Sequence, residues 1–267
     1  MLKPPFVVSD ALPAGLLPFP VGAKAAGNEE GKKVKTVWCN SDDFQKWSKG
    51  EIAELPAPGE LQRPFSTRSR LHVRLSRNTD ASEDGDHDGG LFEEDEHSFN
   101  TGAFPIAEGH LLSVFIRVLP ENDDSKQEAE LLSALRICFE TLGRKGYGRK
   151  ASTGLGAFAL EGEPQRREWL EVKEGQTGFV SLSLFVPAKD DPREGRWKVH
   201  VKNPKFASDL VPQFLKGNLI TLAAGANFRT AGELRSFYGR MIEMPRTGFE
   251  EALHYGLAFV APVKWRE

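Results

Sequence analysis

Apolar and polar residues alternate along several stretches of this 267-residue chain, and each alternation predicts a β-strand. In Leu71–Leu75 the apolar residues are expected on one face, with His72 and Arg74 on the other. Leu91–Phe99 is expected to return beside this strand as the second arm of a hairpin, across an acidic stretch that contains glycine. Further strands are predicted at 110–119, 178–187, 197–201, 218–223 and 254–262, and from about residue 156.

Helical spacing of apolar residues is clearest at 123–142, where the apolar positions are Ala129, Leu132, Leu135, Ile137, Phe139 and Leu142. Asp123, Asp124 or Ser125 can cap the start of this helix, and Gly143 is expected to end it. A strand followed by a short helix is predicted within 36–50, with the cap near Ser41 or Asp42. Residues 1–20 contain five prolines and are expected to be extended and packed.

The order of these elements predicts an α+β fold with two ferredoxin-like (RRM-like) units. The first unit is expected to cover residues 1–162 and to carry the hairpin as an insertion and a glycine-rich loop near its end. The second is expected to cover residues 163–267 and to be a β-rich, degenerate copy.

Charge is distributed unevenly along the chain, although the net charge is only −3. Residues 61–78 contain five arginines and no acid, residues 141–160 contain two arginines and two lysines and no acid, and acids crowd into 80–96. An electrostatic footprint for phosphates is a local patch rather than a whole-chain sum, so both basic segments are candidates for RNA contact.

Other features narrow the class of protein. No apolar run approaches the length of a membrane span, and no signal-peptide pattern is present at the start, so a cytoplasmic protein without membrane contact is expected. Cys39 and Cys138 are far apart and no CxxC pair occurs, so neither a disulfide framework nor a zinc site is predicted. No cofactor and no metal are expected.

The glycine-rich segment 143–156 is the strongest candidate site. Glycine lets another backbone approach closely, and exposed N–H groups, hydroxyls and cationic side chains together suit a phosphodiester backbone. The spacing excludes a Walker loop, and the order helix–loop–strand excludes a Rossmann fingerprint. The alternative is a mobile surface loop. The candidate RNA-binding residues are Gly146, Tyr147, Gly148, Arg149, Lys150, Ser152, Thr153 and Gly154.

A second candidate is the cationic face of the strand near residue 70, with Arg68, Arg70, His72 and Arg74. A strand with cations on one face and aliphatic residues on the other is typical of a sheet surface that binds RNA. The alternative is a solvated face whose cations pair with the nearby acids. Acid–base cleavage of RNA would need a histidine in the basic cleft, and His72 is the candidate near both basic segments. A non-enzymatic protein is the favoured interpretation.

The motif GYGRKASTGLGAF (146–158) resembles the glycine-rich loop of the RAMP superfamily. Within that superfamily the chain is most similar to the subunit of type III-A CRISPR complexes that binds the guide-RNA tag, the fourth subunit of the Csm complex. Four further segments carry the narrower resemblance, in order along the chain: PPFVVSDALP with LLPFP (4–20), RLHVRLSRNTD with GGLFEEDEHSF (70–99), LITLAAGANF (219–228) and HYGLAFVAPV (254–263).

The resemblance implies a non-catalytic subunit that holds the 5′ repeat-derived tag of the crRNA and nucleates assembly in antiviral defence. Its implied partners are the crRNA, the large polymerase/cyclase-bearing subunit, an adjacent RAMP backbone subunit, and target RNA near the tag end. RNA contacts carry over chiefly to the glycine-rich loop and more loosely to Arg68, Arg70 and Arg74, and the hairpin near Gly89–Phe99 would be a thumb-like insertion. The alternative within this fold is a RAMP-type endoribonuclease that processes repeat RNA.

The chain departs from the family at its start, because the family's opening strand and helix have no counterpart here. The resemblance therefore implies an N-terminally incomplete first unit with an open sheet edge. We expect the isolated chain to be poorly stable or prone to aggregation.

Overall fold

The computed structural model describes residues 4–21, 35–52, 55, 65–73, 91–99, 111–119, 125–147, 156–202, 219–244 and 253–265. This part of the chain is strand-rich and contains two α-helices, which is compatible with an α+β fold. The helices are α1 Ser41–Lys49 and α2 Ser125–Lys145, and a single 3₁₀ turn spans Glu168–Leu170.

The strands of the first part are β1 Phe6–Val8, β2 Leu12–Pro13, β3 Leu16–Val21, β4 Lys35–Asn40, β5 Phe65–Val73, β6 Leu91–Phe99, β7 Leu112–Ser113 and β8 Ile116–Val118. Those of the second part are β9 Gly178–Ser181, β10 Gly195–Arg196, β11 Val199–Lys202, β12 Leu219–Leu222, β13 Asn227–Arg229, β14 Phe237–Gly239, β15 Ile242–Glu243, β16 Leu253–His254 and β17 Leu257–Val263.

The N-terminal segment forms a long antiparallel ladder with residues 111–119. β1 pairs with β8 so that Val7 lies opposite Arg117, and β2 pairs with β7 so that Leu12 lies opposite Ser113. The register of the second pair is shifted by one residue from that of the first, so the N-terminal strand carries a one-residue bulge between them. The Ser9 hydroxyl accepts a hydrogen bond from the Phe115 amide (2.8 Å) at this bulge. The predicted extended packing of residues 1–20 is confirmed for 4–20.

The strand and helix predicted within 36–50 are present as β4 and α1, and β4 pairs with β3. The cap is Asn40 rather than Ser41 or Asp42, because its side-chain oxygen accepts the Asp42 amide (2.8 Å) while its own backbone stays extended. Gly50 ends the helix in the left-handed conformation, at a φ of 84°.

The second part of the chain is built around a five-stranded antiparallel sheet in the order β10-β13-β9-β17-β14. Every residue of β9 and of β17 is buried, and β17 is accordingly apolar throughout. The described residues after 162 contain no α-helix, whereas a ferredoxin-like unit has two. The two ferredoxin-like units therefore remain a prediction.

The main core contains residues from both sides of the predicted boundary at 162. Val7, Leu17 and Phe44 pack with Val180 and Phe259 in one cluster. A second cluster, centred on Phe179, Phe185 and Phe228, covers the other face of the five-stranded sheet. The predicted division into 1–162 and 163–267 stays a prediction, and the packing joins the two parts closely.

Several predicted boundaries were wrong. The strand predicted at 110–119 is two short strands, β7 and β8, because the bulge opposite interrupts the pairing. Helix α2 continues through Gly143 to Lys145. The chain after Gly156 contains no assigned strand up to residue 177, and most of its residues to 168 are exposed.

Candidate nucleic-acid interface

The glycine-rich segment begins at the C-terminal end of α2. Arg144 and Lys145 are exposed in the last turn, and Gly146 leaves the helix at a φ of 83°. Tyr147 follows with 70% of its surface exposed, so its ring is accessible to a base. The same two cations also complement the negative end of the helix dipole, so their presence alone does not require a ligand.

Two backbone hydrogen bonds bring the ends of the segment together. The Tyr147 amide donates to the Gly156 carbonyl (2.8 Å), and the Phe158 amide donates to the Gly143 carbonyl (3.2 Å). A Cβ at Gly143 would lie 2.3 Å from the Phe158 oxygen, and one at Gly156 would lie 1.9 Å from the Tyr147 oxygen. We call these four residues the loop clamp. Glycine at 143 and 156 is what allows the clamp to close, so Tyr147 and Gly156 lie next to each other.

Some of the predicted RNA contacts lie within the described residues and others do not. Gly146 and Tyr147 lie at the loop clamp, whereas Gly148, Arg149, Lys150, Ser152, Thr153 and Gly154 lie outside the described residues. Their role in RNA binding stays a prediction.

The acidic side chains near the end of α2 form ion pairs with nearby arginines. Glu140 lies 3.2 Å from Nε of Arg136 and 3.8 Å from Nη2 of Arg144, and Arg136 also contacts Glu163 at 2.6 Å. Arg144 remains 80% exposed. The charge of Arg144 and Lys145 is therefore only partly compensated within the described part of the chain.

The predicted hairpin is confirmed, and its register bears on the second candidate site. β5 pairs with β6 over nine positions, with Arg68 opposite Glu96, Arg70 opposite Glu94 and His72 opposite Phe92. Directly opposed positions of antiparallel strands belong to the same face, so these two arginine positions and the two acidic positions belong to one face of the hairpin. RNA contact and a solvated face whose cations pair with acids both stay predictions for this face. Arg74 lies outside the described residues.

A basic cleft that was not predicted from the sequence lies between the C-terminal half of α1 and the 3₁₀ turn. It has a volume of about 260 Å³ and is lined by Gln45, Lys49, Arg166, Arg167, Glu168, Trp169 and Lys173. The available sequence signal was the consecutive pair Arg166–Arg167. The pair is flanked by acids in the sequence, so it did not stand out as a basic run.

Among the described residues, no three His, Cys, Asp or Glu side chains come close enough together to hold a metal ion. Neither described helix is both long and apolar enough to cross a membrane.

Comparisons with known proteins give a distant structural likeness. No family model and no curated protein matches the chain. Among solved structures, the chain is similar to one in the Csm3-Csm4 subcomplex of the type III-A CRISPR-Cas interference complex, at 12% identity and a TM-score of 0.43. The match covers 85% of this chain and 60% of that chain. That complex is the kind that the sequence resemblance named, but a likeness at this level does not establish a common fold.

Proposed function

We propose that this chain is a non-catalytic RNA-binding subunit of a type III-A CRISPR interference complex, and that it holds the 5′ repeat-derived tag of the crRNA. The observation that supports this best is the loop clamp, where two tightly approached glycines join the ends of a segment rich in glycine, cations and hydroxyls. A segment anchored in this way costs less conformational entropy when it binds than a free loop of the same sequence.

The composition of the segment suits the chemistry of a tag. Arg149 and Lys150 would neutralise phosphates, and Ser152 and Thr153 would donate hydroxyl hydrogen bonds to phosphate oxygens. The side chain of Tyr147 is exposed at the clamp and would stack on a base. Binding that rests on phosphates weakens steeply as the salt concentration rises.

The proposed partners follow from the sequence resemblance. The chain would contact the large polymerase/cyclase-bearing subunit and an adjacent RAMP backbone subunit, and would lie near the tag end of the target RNA. Such a complex would be cytoplasmic.

The test uses the full chain and an end-labelled guide RNA that carries its 5′ tag, run side by side on native and denaturing gels. Arg149→Glu/Lys150→Glu is compared with Lys189→Glu/Arg193→Glu, which reverses one lysine and one arginine that are exposed elsewhere. We expect the wild type and the control to shift the RNA without cutting it, and the loop variant to lose the shift.

Two results would contradict the proposal. RNA that is not shifted by folded wild-type protein, or a loop variant that binds as tightly as the control, would exclude tag binding through this segment. Cleaved RNA would instead support the endoribonuclease alternative, and loss of cleavage in His72→Ala would then identify the base.

A further inference from the structure

The basic cleft defined above is held open by packed elements. Trp169 packs edge-on against Phe44 of α1, with ring centroids 5.8 Å apart, and edge-on against Phe115 at 6.0 Å. The Lys264 amide donates to the Ser48 carbonyl (2.9 Å) and ties α1 to the end of β17. Phe44 is fully buried, so the two walls of the cleft are fixed to the main core.

The cleft is positively charged. Its lining contains Lys49, Arg166, Arg167 and Lys173 against Glu168. Glu171 lies beside it and contacts Arg166 (2.8 Å) and Lys173 (4.0 Å). Two acids against four cations leave a net charge of +2.

Two of these cations are available for a ligand. Arg167 donates to the neutral amide oxygen of Gln165 (2.9 Å), and Lys49 is exposed at the end of α1. Within the described ranges neither has a carboxylate within 4 Å. The carbonyls at the end of α1 would repel an anion, but those of Lys46 and Trp47 already accept hydrogen bonds from the amides of Gly50 and Glu51.

We propose that this cleft binds a phosphate of single-stranded RNA and the nucleoside next to it, as a second contact apart from the loop clamp. Lys49 and Arg167 would neutralise the phosphate, and the half-buried indole of Trp169 would lie against the base or ribose. This inference rests on the proposed function, since it takes RNA to be the ligand of the chain.

Nucleic acid fits the cleft better than an acidic peptide does. Arginine forks match the geometry of phosphate oxygens, and they also match carboxylates, so charge alone does not decide. The aromatic wall decides, because an acidic side chain offers no π face to an indole whereas every nucleotide does.

The test monitors ligand binding in the cleft through the NMR signal of Trp169. The full chain is labelled with 5-fluorotryptophan, and the Trp169 signal among the five tryptophans is assigned with Trp169→Phe. Oligouridylate ten nucleotides long is titrated while ¹⁹F NMR spectra are recorded. We expect the Trp169 signal to shift, and Lys49→Glu/Arg167→Glu to weaken binding on the order of 10-fold at 0.1 M salt. Lys189→Glu/Arg193→Glu serves as the control.

The outcomes separate the two proposals. A Trp169 signal that does not move while oligouridylate saturates the protein overturns this inference and leaves the loop proposal standing. Loss of affinity in the cleft variant but not in Arg149→Glu/Lys150→Glu supports the cleft and contradicts the loop. An equal Trp169 shift with polyglutamate overturns the assignment to RNA. The other tryptophan signals report whether each variant is folded, and Lys49→Gln/Arg167→Gln replaces the reversal if it is not.

Discussion

Three backbone carbonyls from separate parts of the chain accept hydrogen bonds from the side chain of Arg117. They belong to Leu170, Ser236 (2.6 Å) and Val260 (2.9 Å), and the guanidinium lies 4.9 Å from the centre of the Phe259 ring. Burial lowers the pKa of Arg117 to about 10. Arg117 is therefore a residue that joins segments of the fold rather than one that contacts a ligand.

Replacing Arg117 by methionine should destabilise the chain by about 2–4 kcal/mol, because three carbonyls lose their donor while the aliphatic stem is kept. The stability of Arg117→Lys should lie between that of the wild type and that of Arg117→Met, since one ammonium group does not reach all three oxygens in the same geometry. Urea unfolding monitored by circular dichroism measures both. A change in unfolding free energy below about 0.5 kcal/mol for Arg117→Met would show that water replaces the side chain without loss.

The loop clamp should depend on the absence of a side chain at Gly156. Gly156 and Gly162 both have positive φ, at 76° and 69°, so alanine strains the backbone similarly at either site. At Gly156 the new Cβ would also lie 1.9 Å from the Tyr147 oxygen, whereas at Gly162 it would meet nothing within 4 Å. Gly156→Ala should therefore open the clamp and Gly162→Ala should not.

Under the proposed function, Gly156→Ala should weaken guide-RNA binding on the order of 10-fold, and Gly162→Ala should leave it within about twofold, since only the first adds loop ordering to the binding free energy. The dissociation constants are measured by filter binding at one salt concentration. Equal losses in the two variants would trace the effect to backbone strain and not to the clamp.

At the scale of elements, the register of the hairpin β5–β6 sets basic positions opposite acidic positions. Arg68 and Arg70 lie opposite Glu96 and Glu94. Arg68→Gln/Arg70→Gln should therefore reduce RNA affinity less than Arg149→Gln/Lys150→Gln, and should change the salt dependence of binding by less than about one unit of slope. A fall in affinity equal to that of the loop variant would place RNA on the hairpin face. Glu94→Gln/Glu96→Gln should then strengthen binding.

Elements with a strong periodic pattern were predicted from the sequence, and short elements were not. Helix α2, the hairpin and β17 follow from apolar spacing over many residues, because a long pattern averages over exceptions. β10, β13, β14 and β15 have only two or three residues each, and their pairing is decided by neighbours distant in sequence. The bulge between β1 and β2 belongs to the same class, since a register shift leaves no local composition signal.

The same distinction between local patterns and contacts of distant residues applies to the candidate site. The glycine-rich segment 143–156 stood out by its composition, but the roles of Gly143 and Gly156 in the loop clamp were not predicted, because each makes its close contact with a residue distant in sequence. The basic cleft was missed because Lys49 and Arg167 line one cleft only after α1 and the 3₁₀ turn pack together through Phe44 and Trp169.

At the scale of the whole molecule, Asp10 connects the N-terminal ladder to the chain that follows β9 of the five-stranded sheet. Its amide donates to the Leu182 carbonyl (3.0 Å), and its carboxylate accepts the Leu184 amide (3.1 Å). Asp10 keeps solvent contact, yet burial by the surrounding chain raises its pKa from 3.8 to about 6, against the attraction of Lys202. The folded state therefore binds this proton more tightly than the unfolded state does.

The sign of the effect follows from linkage. Well below pH 3.8 both states are protonated at Asp10, and well above pH 6 both are ionised, so its contribution to stability falls as pH rises through this range. Asp10→Asn keeps the acceptor for the Leu184 amide and removes the titration. The stability of Asp10→Asn relative to wild type should increase from pH 4 to pH 6 and then level off, as measured by urea unfolding at each pH. A difference that is independent of pH would assign an ordinary pKa to Asp10.

The core shared by residues before and after 162 should prevent residues 1–162 from folding alone. Val7, Leu17 and Phe44 are fully or almost fully buried against residues after 162, among them Leu170, Val180 and Phe259. A fragment ending at residue 162 would expose these apolar faces to water, at about 25 cal/mol for each Å² uncovered. Residues 1–162 alone should therefore lack the ¹H chemical-shift dispersion of a packed core and should unfold without a cooperative transition. Adding a separately produced fragment 163–267 should restore both, because the missing surface of the core is then supplied in trans. Cooperative unfolding of 1–162 by itself would instead mean that the two parts fold independently and only dock, as two ferredoxin-like units would.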